Sequence, residues 1–225
     1  MKCLINSPTG FDLFELASLA ADQGFDGIQL YLNNDLAAGV ELLEEWCGTL
    51  KETGLLLAVH LPSETVTATL TALDRIAQPD TAVIGHYPDQ QIVPRTGRAA
   101  WEFSPFGTPA DGYHAWLDHC RSAGAIPVFD LPRLFKNTDE RDAGRFADHL
   151  FTRLAGVRYI LHLIDCPTAE QQQDQWCAMG QGQVGHYLER SVIPLPELVV
   201  LEHESLIQAV NSLPWLRKLA RGLGL

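Results

Sequence analysis

Eight short apolar runs alternate with longer segments of helical periodicity, and this alternation restricts the fold of the chain more than any other feature. The near-continuous hydrophobicity of the third run is typical of a parallel strand buried on both faces. Strands that alternate with helices in this way predict βα units and a parallel sheet. The runs read CLIN, GIQLYL, LLLAVHLP, TAVIGHYP, RAAWEF, AIPVFD, VRYILHLID and LVVLEHE.

Helices are predicted in most of the gaps between these runs. Leu13, Leu16 and Ala20 fall on one face of the first helix. Gly24 then stands where a C-terminal glycine cap is expected. A right-handed series of eight such units closes as a (β/α)8 TIM barrel, so residues 1–225 are predicted to form a single α/β domain. The helical segments read FDLFELASLAADQG, VELLEEWCGTLKETG, TVTATLTALDRIA, GYHAWLDHCRSAG, DAGRFADHLFTRLAG and LPWLRKLARGLG.

The fourth connection lacks the periodicity of a helix. The segment YPDQQIVPRTGRAAW between His86 and Glu102 contains two prolines and a glycine. The fourth connecting helix is therefore predicted to be shortened to a loop or missing. This also explains why the chain, at 225 residues, is slightly shorter than the ~250 residues of a typical barrel of this kind.

The charge balance argues against a nucleic-acid partner. The chain has 28 acidic and 16 basic side chains and a formal net charge of −12. Such a surface repels the phosphates of DNA and RNA.

The cysteines and the N-terminus favour a cytoplasmic protein. Five cysteines without a CxxC pair are expected to be free thiols in a reducing compartment. The N-terminal MKCLINSPTG lacks the apolar core of a signal peptide. No apolar run approaches the ~20 residues needed to span a bilayer, so no membrane partner is expected.

Six of the predicted strands end in side chains that can bind a metal or move a proton. Because the C-terminal ends of all strands in a parallel barrel meet at one rim, these side chains are expected to converge. One such histidine or carboxylate alone would more often be a structural or capping group, and Asp165, three residues after His162, is open to either interpretation. Six in phase with six strands favour a functional site. They are His60, His86, Glu102, Asp130, His162 and Glu202.

Four of these residues suit a divalent metal. Glu102, Asp130, His162 and Glu202 supply three carboxylates and one imidazole, which favours Mn²⁺, Mg²⁺ or Co²⁺ and is also compatible with Zn²⁺. A thiolate zinc site is disfavoured by the cysteine spacing. An ion with open positions could hold two substrate oxygens and stabilise an enediolate while flanking carboxylates carry a proton.

The order and strand phasing of these motifs resemble a known superfamily over nearly the whole chain. The chain is similar to the xylose isomerase-like TIM barrels, the sugar phosphate isomerase/epimerase superfamily that also includes apurinic-site endonucleases (AP endonuclease family 2). The resemblance rests on GFDGIQLYL, the His-x-Pro of LLLAVHLP, AVIGHYP, AAWEFSPFG, IPVFDLPRL, the His-x-x-Asp of YILHLID, GQGQVGHYL and LVVLEHES.

The resemblance implies a role for each rim residue. Glu102 and Glu202 would be both metal ligands and the acid/base pair. Asp130 and His162 would complete the ligand set. Glu204 has the same strand parity as Glu202 and is its rival, although the family pattern favours Glu202.

The resemblance also implies substrate contacts, and here the chain departs from the pattern. His60 and His86 would line the pocket and contact the substrate. Gln29 stands where the second strand usually carries Glu, and Arg133 stands where the family commonly has His. Arg133 could clamp a phosphate or carboxylate of the substrate, or it could be a surface residue paired with a helix.

Three functions follow as hypotheses. The first is a metal-dependent sugar or sugar-phosphate isomerase/epimerase with a small sugar-like substrate, which would make the chain an enzyme of carbohydrate metabolism. The second is a catalytically silent barrel that serves as a binding subunit, and the third is an endonuclease-type metallohydrolase. Members of the superfamily often form dimers or tetramers, so a homo-oligomer is compatible with the resemblance.

Overall fold

Eight parallel strands close into a barrel in which each strand pairs with its neighbours in chain order. The structure is a computed structural model that describes residues 1–103, 110–138, 140–167 and 176–222. Pairing of the first strand with the eighth closes the ring. All eight predicted strands are confirmed. They are β1 Lys2–Asn6, β2 Gly27–Tyr31, β3 Leu56–His60, β4 Ala82–Tyr87, β5 Arg98–Phe103, β6 Ile126–Asp130, β7 Ile160–Leu163 and β8 Leu198–Leu201.

Helices surround this ring and include the six that the periodicity predicts. Three others are only five to seven residues long, too short to show a helical period in the sequence. In the described residues the helices are α1 Leu13–Gln23, α2 Asn34–Ala38, α3 Val40–Thr53, α4 Thr67–Ile76, α5 Ala110–Ala123, α6 Leu131–Asn137, α7 Glu140–Leu154, α8 Gln183–Leu188 and α9 Leu206–Gly222.

The last helix begins earlier than the sequence predicts. The pattern predicts a start at Leu213, because proline favours the first turn of a helix. Instead α9 begins at Leu206 and continues through Pro214. Ala209 and Ser212 in the added turns are buried, so packing against the barrel holds this part of the helix.

The predicted absence of the fourth helix is confirmed. Residues 88–97, all of which the structure describes, connect β4 to β5 without a helix. The side chain of Trp101 donates a hydrogen bond from Nε1 to the carbonyl of Ile92 at 3.3 Å. His119 of α5 stacks on the Trp101 ring at 5.4 Å and lies 2.8 Å from Oε1 of Gln91. The side chains of β5 and α5 thus hold the loop against the outside of the barrel.

The interior of the barrel is apolar at its base and polar at its C-terminal mouth. Side chains in a strand alternate between the two faces of the sheet, and every second residue of each strand points inward. Ala100 of β5 and Val128 of β6 belong to the buried interior cluster. Two residues further along the same strands stand Glu102 and Asp130. The same parity explains why the six predicted rim residues all face inward.

The helices give no sign of a membrane-spanning segment. Within the described ranges, none combines the length with the apolar character needed to cross a bilayer. The five cysteines are free.

Asp165 proves to be a structural residue. Its carboxylate accepts hydrogen bonds from five backbone N–H groups at 2.9 to 3.2 Å. A Cβ atom at Gly182 would lie 2.0 Å from the carbonyl oxygen of Cys166, and one at Gly185 would lie 2.5 Å from Oδ2 of Asp165. Glycine at these two positions therefore lets the backbone wrap around the carboxylate. The donors are the N–H groups of Cys166, Gly180, Gly182, Val184 and Gly185.

Candidate metal centre

The C-terminal mouth of the barrel holds a polar cavity of about 560 Å³. Its wall includes five of the residues predicted from the sequence. Gln29, at the altered second-strand position, also lines it. The predicted residues in the wall are His60, His86, Glu102, Arg133 and Glu202.

Glu102 lies at the centre of this cluster and is 1% exposed. Its Oε2 atom is 2.9 Å from Nε2 of His60 and 3.3 Å from Nδ1 of His162. Its Oε1 atom is 3.4 Å from a guanidinium nitrogen of Arg133. Burial acts to raise the pKa of Glu102, but the contacts with His162 and His60 outweigh it and hold the pKa well below the usual range. Glu102 is therefore a buried carboxylate in its charged form.

His162 contacts both of the glutamates that are predicted to carry protons. Its Nδ1 atom is 3.1 Å from Oε1 of Glu202 as well as 3.3 Å from Glu102. Burial acts to lower its pKa, but the two negative charges raise the pKa of His162 to about 10. The carboxylates stand at ion-pair distance without the directional geometry of hydrogen bonds, so both buried ring nitrogens lack a hydrogen-bond partner. Buried polar atoms of this kind are rare and often mark a ligand site.

Glu202, directly after β8, is oriented by a residue of β2, the strand on the other side of β1. Gln29 Nε2 donates hydrogen bonds to Oε1 of Glu202 at 3.0 Å and to Oδ1 of Asn6 at 3.3 Å. Gln29 stands at the position where the resemblance implies a Glu. It thus donates a hydrogen bond to Glu202, whereas a Glu at this position would place a second negative charge there.

Asp130 pairs with Arg133 and caps helix α6, which begins directly after it. Its Oδ1 atom accepts a hydrogen bond from the backbone N–H of Arg133 at 2.9 Å and caps α6. Its Oδ2 atom pairs with Nε of Arg133 at 2.9 Å. Burial, together with repulsion from Glu102 and Glu202, raises the pKa of Asp130 to about 7. Arg133 points into the mouth of the barrel with a side chain 31% exposed, so it is not merely a surface residue.

His86 is positioned by Gln90, a residue that no pattern in the sequence singles out. The Oε1 atom of Gln90 lies 3.3 Å from Nδ1 of His86, and its Nε2 atom donates to the carbonyl of Ser63 at 2.7 Å. Because the amide nitrogen is occupied as a donor, Oε1 must accept from a protonated Nδ1, and Nε2 of His86 keeps its lone pair. Burial first, and then the neighbouring His60, lower the pKa of His86.

The donor atoms fall into two overlapping groups that could each hold a divalent ion. One contains His60, His162 and Glu202, and the other contains His60, His86 and Glu102. In each group one donor atom per residue lies within 4.8 Å of the others. Imidazoles and buried carboxylates in this arrangement fit a hard or borderline ion.

The predicted ligand set is only partly gathered. Glu102 and Glu202 each contact Nδ1 of His162. Among the described residues, Asp130 belongs to neither group of donor atoms and joins the cluster through Arg133. Glu204, the rival of Glu202, also belongs to neither group and lines a second cavity at the barrel mouth, of about 290 Å³, whose wall also includes Asp130, Arg133 and Glu202. The chemical role of each residue stays a prediction.

No protein-family model and no curated protein sequence matches the chain. Its structure, however, resembles solved structures over almost its full length. A xylose isomerase domain protein from Planctomyces limnophilus is 13% identical with a TM-score of 0.61, and the match covers 99% of this chain and 97% of that one. D-psicose 3-epimerase from Clostridium cellulolyticum, solved with D-tagatose, is 11% identical with a TM-score of 0.56 and 99% of both chains covered.

Endonuclease IV from Thermus thermophilus is similar to the same degree. It is 12% identical with a TM-score of 0.58, and the match covers 97% of this chain and 100% of the endonuclease chain. These identities are too low to carry an activity from one protein to another. What they share with the present chain is its architecture, and the chain therefore has the fold of the xylose isomerase-like TIM barrels.

Proposed function

We propose that the protein is a metal-dependent isomerase or epimerase that moves a proton on a small sugar-like hydroxy-carbonyl substrate. The observation that carries this proposal is that Glu102 and Glu202 both line the cavity at the mouth of the barrel and both contact Nδ1 of His162. Two carboxylates that flank one pocket can remove a proton on one side of a substrate carbon and return it on the other. The sugar epimerase among the similar structures is consistent with this chemistry.

The metal would be held by Glu102, His162 and Glu202, with Asp130 as the fourth ligand that the resemblance implies. Mn²⁺, Co²⁺ or Mg²⁺ suits this set best, and Zn²⁺ is compatible with it. The bound ion would supply stabilisation of negative charge on the substrate oxygens.

The protein's own residues would orient the substrate. His60 and His86 line the cavity on the side of β3 and β4, where their ring nitrogens can contact substrate hydroxyl groups. The guanidinium of Arg133 faces the same cavity and could bind an anionic group such as a phosphate. A screen of free and phosphorylated ketoses for isomerisation or epimerisation would test the proposed reaction. The free thiols fit a cytoplasmic location, which is part of the same proposal.

Metal addition is expected to stabilise the protein. After treatment with a chelator, Mn²⁺ or Co²⁺ at about 100 times its dissociation constant should raise the unfolding free energy by about 2.7 kcal/mol. For a chain of this size that corresponds to a rise in melting temperature of roughly 5–10 °C. Differential scanning calorimetry measures it, and His162→Ala should remove the rise whereas Glu204→Gln should keep it.

If Mn²⁺, Co²⁺, Mg²⁺ and Zn²⁺ all leave the melting temperature of the wild-type protein unchanged, the metal-dependent function is wrong. A catalytically silent barrel that acts as a binding subunit would then be the better explanation.

One observation favours a metallohydrolase as the second candidate. The group of His60, His86 and Glu102 offers two imidazoles and one carboxylate, a donor set that suits a catalytic zinc ion. Endonuclease IV is among the similar structures. The net charge of −12 weighs against a DNA substrate. Nicking of abasic duplex DNA in the presence of zinc would establish this alternative over the first.

A further inference from the structure

Arg133 places a permanent positive charge between two of the proposed metal ligands. Its Nε atom is 2.9 Å from Oδ2 of Asp130, and a terminal nitrogen is 3.4 Å from Oε1 of Glu102. Both carboxylates are buried, with 5% and 1% of their residues' surface exposed. Because arginine does not lose its proton in proteins, this charge stays in place at any pH at which the protein is folded.

The carboxylate oxygens that pair with Arg133 are also oxygens that could bind the ion. Asp130 Oδ1 already accepts a hydrogen bond from the backbone N–H of Arg133 at 2.9 Å, which makes Oδ2 the oxygen better placed to bind a metal. That oxygen is the one paired with the guanidinium. A divalent ion bound to Asp130 Oδ2 and Glu102 Oε1 would lie close to the guanidinium of Arg133. The two cations would repel each other strongly, because the protein interior screens charges poorly.

Arg133 has space to leave this position. Its side chain is 31% exposed and forms part of the wall of both cavities at the barrel mouth, of about 560 and 290 Å³. A rotation about its side-chain bonds could carry the guanidinium toward solvent or substrate without any change in the backbone of α6.

We propose that Arg133 competes with the divalent ion for Asp130 and Glu102, so that metal binding requires its guanidinium to move away from these carboxylates. The inference rests on the metal site of the proposed function. It adds that the protein weakens its own metal affinity through a residue that is not a ligand. The released guanidinium would then be free to bind an anionic group of the substrate, which would couple metal loading to substrate binding.

The competition can be measured directly as metal affinity. Wild-type protein, Arg133→Gln and Arg98→Gln are freed of metal and titrated with Mn²⁺ by isothermal calorimetry. Arg98 is a matched control because it also forms a partly buried ion pair, at 2.6 Å with Glu197, but lies at the start of β5 away from the mouth. Both substitutions remove one positive charge. Arg133→Gln should tighten Mn²⁺ binding by about 10-fold or more, while Arg98→Gln should change it by less than about twofold.

Each result decides between clear alternatives. Equal or weaker Mn²⁺ binding in Arg133→Gln would overturn the competition while leaving the metal site intact, since Arg133 would then act as a structural support of Asp130. Tighter binding in both variants would assign the effect to overall charge and also overturn it. Absence of binding in all three proteins would remove the proposed metal function, and the competition with it.

A second variant guards against a folding defect. Arg133→Met carries no charge at any pH and adds no ligand that Mn²⁺ prefers, so it should also bind Mn²⁺ more tightly than the wild type. Without metal, both Arg133 variants should melt at a lower temperature than the wild type, because two buried carboxylates lose their counter-charge, and Mn²⁺ should raise their melting temperature by more than it raises that of the wild type.

Discussion

Replacing Glu102 by glutamine should abolish turnover while the barrel stays folded. Glutamine keeps the shape of the side chain but cannot accept a proton, and removal of a general acid/base group typically costs about 10²–10⁴-fold in rate. Because Glu102 is also proposed as a ligand, a loss at or above the upper end of this range is expected. Its neighbours His60 and His162 remain in place to fill the mouth of the barrel, so the far-ultraviolet circular dichroism spectrum should be that of the wild type.

The measurement is kcat/KM on the ketose that the substrate screen identifies. Glu204→Gln is the matched control, because it makes the same chemical change in a carboxylate that belongs to neither group of metal-donor atoms among the described residues. It should keep the wild-type rate within about threefold. An unchanged rate in Glu102→Gln would eliminate the assignment of Glu102 as a proton carrier.

Loss of the Asp165 carboxylate should destabilise the protein strongly. In Asp165→Ala, five backbone N–H groups lose their acceptor at once. A buried unsatisfied donor costs about 1–3 kcal/mol, and partial relaxation of the glycine-rich segment should limit the total to roughly 4–5 kcal/mol. Urea denaturation followed by circular dichroism measures the change in unfolding free energy.

Asp165→Asn separates charge from shape. Its amide nitrogen would face backbone donors such as the N–H groups of Gly180 and Gly182, which bond to one carboxylate oxygen, so it should also destabilise, by about 2 kcal/mol or more. Asp12→Asn makes the same exchange at the exposed N-cap of α1, where asparagine caps equally well and the change should be small. If Asp165→Ala and Asp12→Asn unfold at the same urea concentration, the carboxylate cradle does not stabilise the fold as described.

The fold was predictable because it depends on patterns that repeat. Eight apolar runs separated by helical segments leave few arrangements besides a closed parallel barrel, and strand parity then decides which side chains meet at its mouth. His162 and Asp165 illustrate the limit of the pattern. They are three residues apart, so His162 points into the barrel while Asp165 turns to the backbone of another segment. The amino-acid sequence alone does not show that His162 belongs to the site and that Asp165 is structural.

The contacts that tune the site were not predictable in the same way. Nothing in the sequence shows that Gln29 donates a hydrogen bond to Glu202, since the two residues are 173 positions apart. Arg133 was recognised as unusual, but its pairing with both Asp130 and Glu102 depends on how α6 starts directly after β6. Side-chain contacts of this kind follow from three-dimensional packing and not from periodicity.

Gln90 constrains how this protein can change in evolution. The loop that replaces the fourth helix would ordinarily be a tolerant place for insertions. Here its Gln90 side chain links His86 to the segment after β3 through Oε1 and Nε2. A longer loop that carried Gln90 away would release the imidazole and the neighbouring loop together. We therefore expect related proteins that keep His86 to keep the length of this connection as well, and those with a full helix here to orient the histidine by other means.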